Sequence, residues 1–139
     1  MPSWADISLP ILSPYFKLLW GFQYDPTTAQ FRVRLAGDKF RKWTVPNYDG
    51  AELKDLALLA NGGQLQQYLI EIISRPAAFR SSGHLFSTGE IVVTGERISL
   101  PLADDGKTGD GILGASDFVS PPLLGPVELV HENVTWCTL

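Results

Sequence analysis

Aromatic side chains carry the clearest chemical signal in this chain. Trp20, Phe22 and Tyr24 alternate along one run, Phe40 and Trp43 stand three apart, and Tyr68 lies in a helical pattern further on. A strand, a helical turn and a helix with such spacings can wall an apolar pocket. Arg34 or Arg41 would then offer a guanidinium to a ligand carboxylate. Each aromatic taken alone reads as core; the pocket reading belongs to the set. His84 is the second signal. As a base oriented by Asp110 or Asp117, it would serve a small cone-shaped α+β enzyme. Ser82, Ser87 and Ser99 are candidate nucleophiles, but none stands in a nucleophile-elbow context.

Other groupings lead to less. His84 and His131 have no Cys or His neighbour at ligand spacing, so no metal site is predicted. Asp104, Asp105 and Asp110 could gather around a divalent cation, yet their spacing is not that of a calcium loop and Asp-Asp-Gly is turn chemistry. Gly62-Gly63 and Gly109-Asp110-Gly111 lack the Gly-Lys-Ser/Thr of a phosphate loop.

The elements that must position these residues follow from patterning. A chain of 139 residues with 45% apolar and 19% charged content predicts one folded domain with its own core. The aromatic run Tyr15–Tyr24 predicts a first strand, Asp25-Pro26-Thr27-Thr28 a turn, and Phe31–Leu35 a second strand with Phe31, Val33 and Leu35 on one face. Asp38 can cap a short helical segment over Lys39–Thr44, and Ala51–Ala60 predicts another. Gln64–Ser74 is the best helix, with Leu65, Tyr68, Leu69, Ile72 and Ile73 on one side. Ala77–Ser87 reads as a third strand with weak alternation, and a fourth starts at Ile91 with a bulge expected at Gly95. Ile98, Leu100 and Leu102 predict an apolar face, and Asp104-Asp105-Gly106 turns the chain into a last strand over Ile112–Val119. Pro101 is expected at an edge or irregular position.

Order and spacing of five pieces point to a family. Leu9-Pro10-Ile11-Leu12 with Leu18-Leu19-Trp20, Phe31 to Gly37, Tyr48-Asp49-Gly50, Arg75-Pro76, and Pro101 to Gly106 followed by Ile112-Leu113-Gly114-Ala115 resemble the pattern of the single-domain PAS proteins of alphaproteobacteria. The resemblance implies a PAS-like α+β domain over residues 6–119, with a five-stranded antiparallel sheet and short helices between strands two and three packed on one side. Residues 120–139 are a C-terminal extension, docking on the domain or on a second subunit.

The resemblance also implies a stand-alone sensory or regulatory domain, not an enzyme, that binds a small apolar or amphipathic ligand and signals through a protein partner. The expected lining is Trp20, Phe22, Tyr24, Arg34, Phe40, Trp43, Tyr68 and His84. Haem is disfavoured because Gln64–Ser74 has no histidine, and a covalent flavin because Cys137 lies beyond the match. The alternatives are a ligand-free homodimerisation module and the enzyme built on His84. A net charge of −4 argues against nucleic acid, and the basic residues Arg32, Arg34, Lys39, Arg41 and Lys42 read as a solvated face. A single cysteine, no long apolar run and no signal-like N-terminus predict a cytoplasmic protein without a membrane partner, expected as a homodimer.

Overall fold

The computed structural model describes residues 1–41, 62–119 and 127–139. Residues 1–18 form only short turns: 3-10 turns at Trp4–Asp6 and Ser13–Leu18 flank α1 (Leu9–Leu12). Proline fixes this outcome. Pro14 sets the helical φ at the start of the second turn, and the Ser13 hydroxyl donates to the Pro10 carbonyl at 3.0 Å. The first strand therefore begins later than the aromatic run suggests, as β1 (Leu19–Asp25). It pairs antiparallel with β2 (Gln30–Ala36) across a turn in which Asp25 accepts the Thr27 N–H. On β2, Phe31 and Val33 are buried while Arg32 and Arg34 are exposed.

After α2 (Asp38–Arg41), the chain is described again at α3 (Gly62–Ile73), which buries Leu65, Tyr68, Leu69, Ile72 and Ile73. The predicted segment Ala51–Ala60 and Trp43 lie outside the described residues. Then follow β3 (Ala77–Thr88), β4 (Ile91–Leu102), β5 (Gly111–Phe118), β6 (Val127–Leu129) and β7 (Thr135–Thr138).

These strands make one seven-stranded antiparallel sheet in the order β2-β1-β5-β4-β3-β6, with β7 also on β3. The expected fold class is thereby corrected. Instead of a five-stranded PAS-like sheet with several helices on one side, the protein is mostly sheet, curled into a half-barrel. Among the described residues α3 is the one α-helix longer than a single turn. The sequence offers 127–130 and 134–136 as short extended stretches, and these become β6 and β7; what it does not show is their long-range pairing with β3. They lie end to end along β3, whose backbone groups would otherwise face outward unpaired. Gln64 fastens this edge to α3: its side-chain amide donates to the Leu129 carbonyl at 2.6 Å and its side-chain oxygen accepts the Leu129 N–H at 2.9 Å.

The last hairpin forms in the expected place, but β4 departs from the expected phase up to Pro101, while Leu102 is buried as expected. Arg97, Ser99 and Pro101 are buried, whereas Ile98 is 52% exposed. Alternation fixes the period of a strand, not which phase faces inward. Pro101 is tolerated inside the sheet because the β3–β4 ladder stops at Ser99. Gly95 itself pairs in regular register with Gly83; the irregularity lies in β3 between His84 and Phe86, opposite Thr94 and Val93. That shift also accounts for the weak alternation of β3. Asp105 accepts the Lys107 and Thr108 N–H groups, and Asp110 accepts that of Asp104, so these carboxylates brace the turn. No described helix is long and apolar enough to cross a membrane.

Candidate functional site

Between α2, α3 and the concave face of the sheet lies a cavity of about 40 Å³. Trp20, Phe22, Phe40, Tyr68 and Phe118 form its aromatic walls, and Leu18, Leu65 and Leu129 add aliphatic surface. Three polar groups border it: Lys39, Arg97 and Ser116. Each has a physical anchor. The Trp20 indole N–H donates to the Ser116 hydroxyl at 3.0 Å, and Phe22 meets Trp20, Phe31 and Phe40 edge-on. Lys39 is held by Asp117 at 3.2 Å and by the Phe118 carbonyl.

Arg97 is different, since it is 4% exposed and no carboxylate among the described residues pairs with it. One of its terminal nitrogens donates to Nδ1 of His131 and the other to the Leu85 carbonyl, both at 3.3 Å. Its guanidinium also stands over the Tyr68 ring at 5.9 Å, and the Tyr68 and Ser99 hydroxyls are 2.5 Å apart.

Burial governs the protonation of this cluster. It lowers the pKa of Arg97, which the proximity of Tyr68 partly opposes, and it pushes Tyr68 up to about 12 despite the nearby positive charge. His131 is pushed down to about 4, first by loss of water and then by Arg97. Because a guanidinium only donates, Nδ1 of His131 must accept and its proton sits on Nε2. At neutral pH the cluster is a neutral phenol, a neutral imidazole and one cation.

This arrangement makes stability acid-sensitive. His131 has a folded pKa below its unfolded value, so the unfolded chain takes up the proton first and stability is lost as pH falls from 6.5 towards 4. The full shift corresponds to about 3 kcal/mol, but the residue keeps an exposed edge, and solvent screening reduces this to about 1–2 kcal/mol. Urea unfolding at pH 7.5 and 4.5 should show that loss in the wild type and a smaller one in His131→Gln; equal losses would contradict it.

Of the residues singled out in the sequence, Trp20, Phe22, Phe40 and Tyr68 line the cavity together. Tyr24 packs against Phe31 instead, with ring centres 4.8 Å apart. Arg34 is not the polar handle. It is exposed, donates to Gln23 at 2.8 Å and lies over Trp4 at 4.5 Å. The Arg41 side chain and Trp43 lie outside the described residues.

His84 does not line the cavity. Its Nε2 meets the Ser87 hydroxyl at 2.7 Å, and its Nδ1 is 3.7 Å from Glu132. The acid nearest His84 is thus neither Asp110 nor Asp117, and it stands beyond hydrogen-bond distance. Sequence reasoning missed Leu18, Lys39, Leu65, Arg97, Ser116, Phe118 and Leu129 as lining. For Arg97 the available signal was its phase: it shares the β4 face of Ser99 and Pro101, opposite to Ile98.

No protein-family model, no curated protein and no solved structure matches the chain. What the protein does has to be read from the cavity itself.

Proposed function

We propose that the protein is a small-molecule-binding module of the sensory or regulatory kind, holding an apolar or amphipathic ligand non-covalently between α3 and the sheet. The observation that carries this reading is a void walled by five aromatic rings, with a buried cation at its edge that no carboxylate among the described residues pairs with. A packed core has no need of either feature. Volume sets the scale. A water needs roughly 10–15 Å³ and benzene fills a site of about 150 Å³, so about 40 Å³ takes a group of a few atoms and a larger ligand must displace side chains. In this reading the output passes to a protein partner.

A ligand-observed NMR screen with short-chain and aromatic acids, amides and alcohols tests the proposal. Binding is expected with the wild type and not with Leu65→Trp, which fills the void, provided circular dichroism shows that the variant keeps its fold. Failure of every fragment to bind the wild type, or binding that survives the filled cavity, would remove the reading.

A second reading, self-association, draws on the apolar row Leu9, Ile11, Tyr15 and Phe16, exposed along the N-terminal turns. Sedimentation velocity should then show a dimer that Ile11→Glu dissociates. A monomer throughout would sink that reading while leaving the cavity untouched.

A further inference from the structure

Resting on the proposed ligand-binding role, the geometry points to the class of ligand: we infer that the cavity takes a small organic carboxylate, with its charged end on Arg97 and its apolar body against the aromatic wall.

Strand register builds the anion end. Ser81 on β3 and Ser116 on β5 are the cross-strand partners of Arg97 on β4, so the three residues share one row across the sheet, of which Arg97 and Ser116 border the cavity. All three residues are buried. The Ser81 hydroxyl has no hydrogen-bond partner among the described residues, and the Ser116 hydroxyl accepts from Trp20, which leaves its own proton to give. A guanidinium carries five N–H donors, and the contacts of Arg97 are the two long hydrogen bonds to His131 and Leu85 and the face of Tyr68. Donors are thus in excess here. A buried cation with spare donors is costly unless an anion shares its site.

Carboxylate fits better than a larger or more highly charged anion. Its two oxygens match the guanidinium fork. The void beside it is apolar and small, so the group attached to the carboxylate must be apolar and short. Lys39, the other cation at the cavity, is already engaged by Asp117 and the Phe118 carbonyl, which leaves Arg97 to carry the charge recognition.

The test pairs acids with neutral isosteres. Calorimetric and NMR titrations of the full chain with propionate and butyrate, against propionamide and butyramide, should show the acids binding at least tenfold more tightly. Arg97→Met should bring acid and amide to the same affinity, and Arg97→Lys, which keeps the charge but loses the fork, should retain only part of the preference. The two variants guard against loss of folding in either one. Arg34→Met, exposed on β2 and outside the cavity lining, should keep the full preference. Equal binding of acids and amides by the wild type, a preference that survives Arg97→Met, or displacement of butyrate by equimolar inorganic phosphate would each overturn the carboxylate assignment while leaving an apolar site standing. Absence of binding by acids and amides alike would overturn both the assignment and the reading beneath it.

Discussion

Gly114→Ala should cost the folded state about 3 kcal/mol, far more than one methyl group ordinarily does. A β-carbon at this position would fall within the six-membered ring of Trp20, which lies directly across the β1–β5 pair. Nothing there can yield. The indole is buried, its N–H is fixed on Ser116, and its edge is packed on Phe22. Accommodating the methyl requires Trp20 to leave its place, which strands the indole N–H and collapses one wall of the cavity. The Ile-Leu-Gly-Ala run of the last hairpin thereby acquires a physical reason for its glycine. Urea unfolding should show a large fall in midpoint, together with a changed near-ultraviolet signal from tryptophan. Ser116→Ala, which removes only the acceptor, should cost about 1 kcal/mol. Gly114→Ala within 0.5 kcal/mol of the wild type, on the scale of a neutral surface change, would show that Trp20 does not depend on the close approach.

Removing residues 127–139 should abolish the cooperative fold, or lower its stability by at least about 4 kcal/mol, given 1.5–3 kcal/mol for each buried aliphatic side chain. Val127 and Leu129 are both buried, and Trp136 packs edge-on against Phe79 with Arg75 over its ring at 4.3 Å. The truncation also strips the β3 edge of its ladder with β6 and β7 and leaves Gln64 without either of its Leu129 bonds. His131 goes with it, so Arg97 loses an acceptor and Tyr68 loses the ring stacked on it at 4.6 Å. Thermal unfolding followed by circular dichroism compares the truncated and full chains. A truncated chain that melts within a few degrees of the full one would mean that β6 and β7 only decorate the sheet.

What could be seen in the sequence was set by the range of the interactions concerned. The β2 face of Phe31 and Val33, and the α3 face from Leu65 to Ile73, are local periodicities and are found where they were expected. The turn at Asp104-Asp105-Gly106 is local too: Gly106 takes a positive φ of 76° and donates its N–H to the Ala103 carbonyl. The hairpins β1–β2 and β4–β5 were legible for the same reason, whereas the pairings of β1 with β5 and of β3 with β6 and β7, between strands far apart in the chain, were not. The phase of β4 is the sharpest case, because Ile98, Leu100 and Leu102 form a better apolar row than Arg97, Ser99 and Pro101. The structure nevertheless turns Arg97 and Ser99 inward, where His131, Leu85 and Tyr68 receive them. His131 comes from the far end of the chain, so no local pattern could have joined it to Arg97. The site therefore came through as four of the five rings of its aromatic wall, while its cation was assigned to Arg34 or Arg41.

The most direct test of a carboxylate-binding cavity is the titration of the His131 ring, followed by long-range ¹H–¹⁵N NMR with and without saturating butyrate. His131 faces Arg97, Tyr68 and Phe79, while neighbouring Glu132 turns toward His84. Arg97 is the one cation among these groups, and its charge helps to hold the imidazole down at about 4. A carboxylate seated on Arg97 offsets that charge, the smaller of the two causes of the shift, so the His131 pKa should rise. An unmoved His131 pKa at saturating butyrate would place the ligand somewhere other than Arg97 and contradict the account.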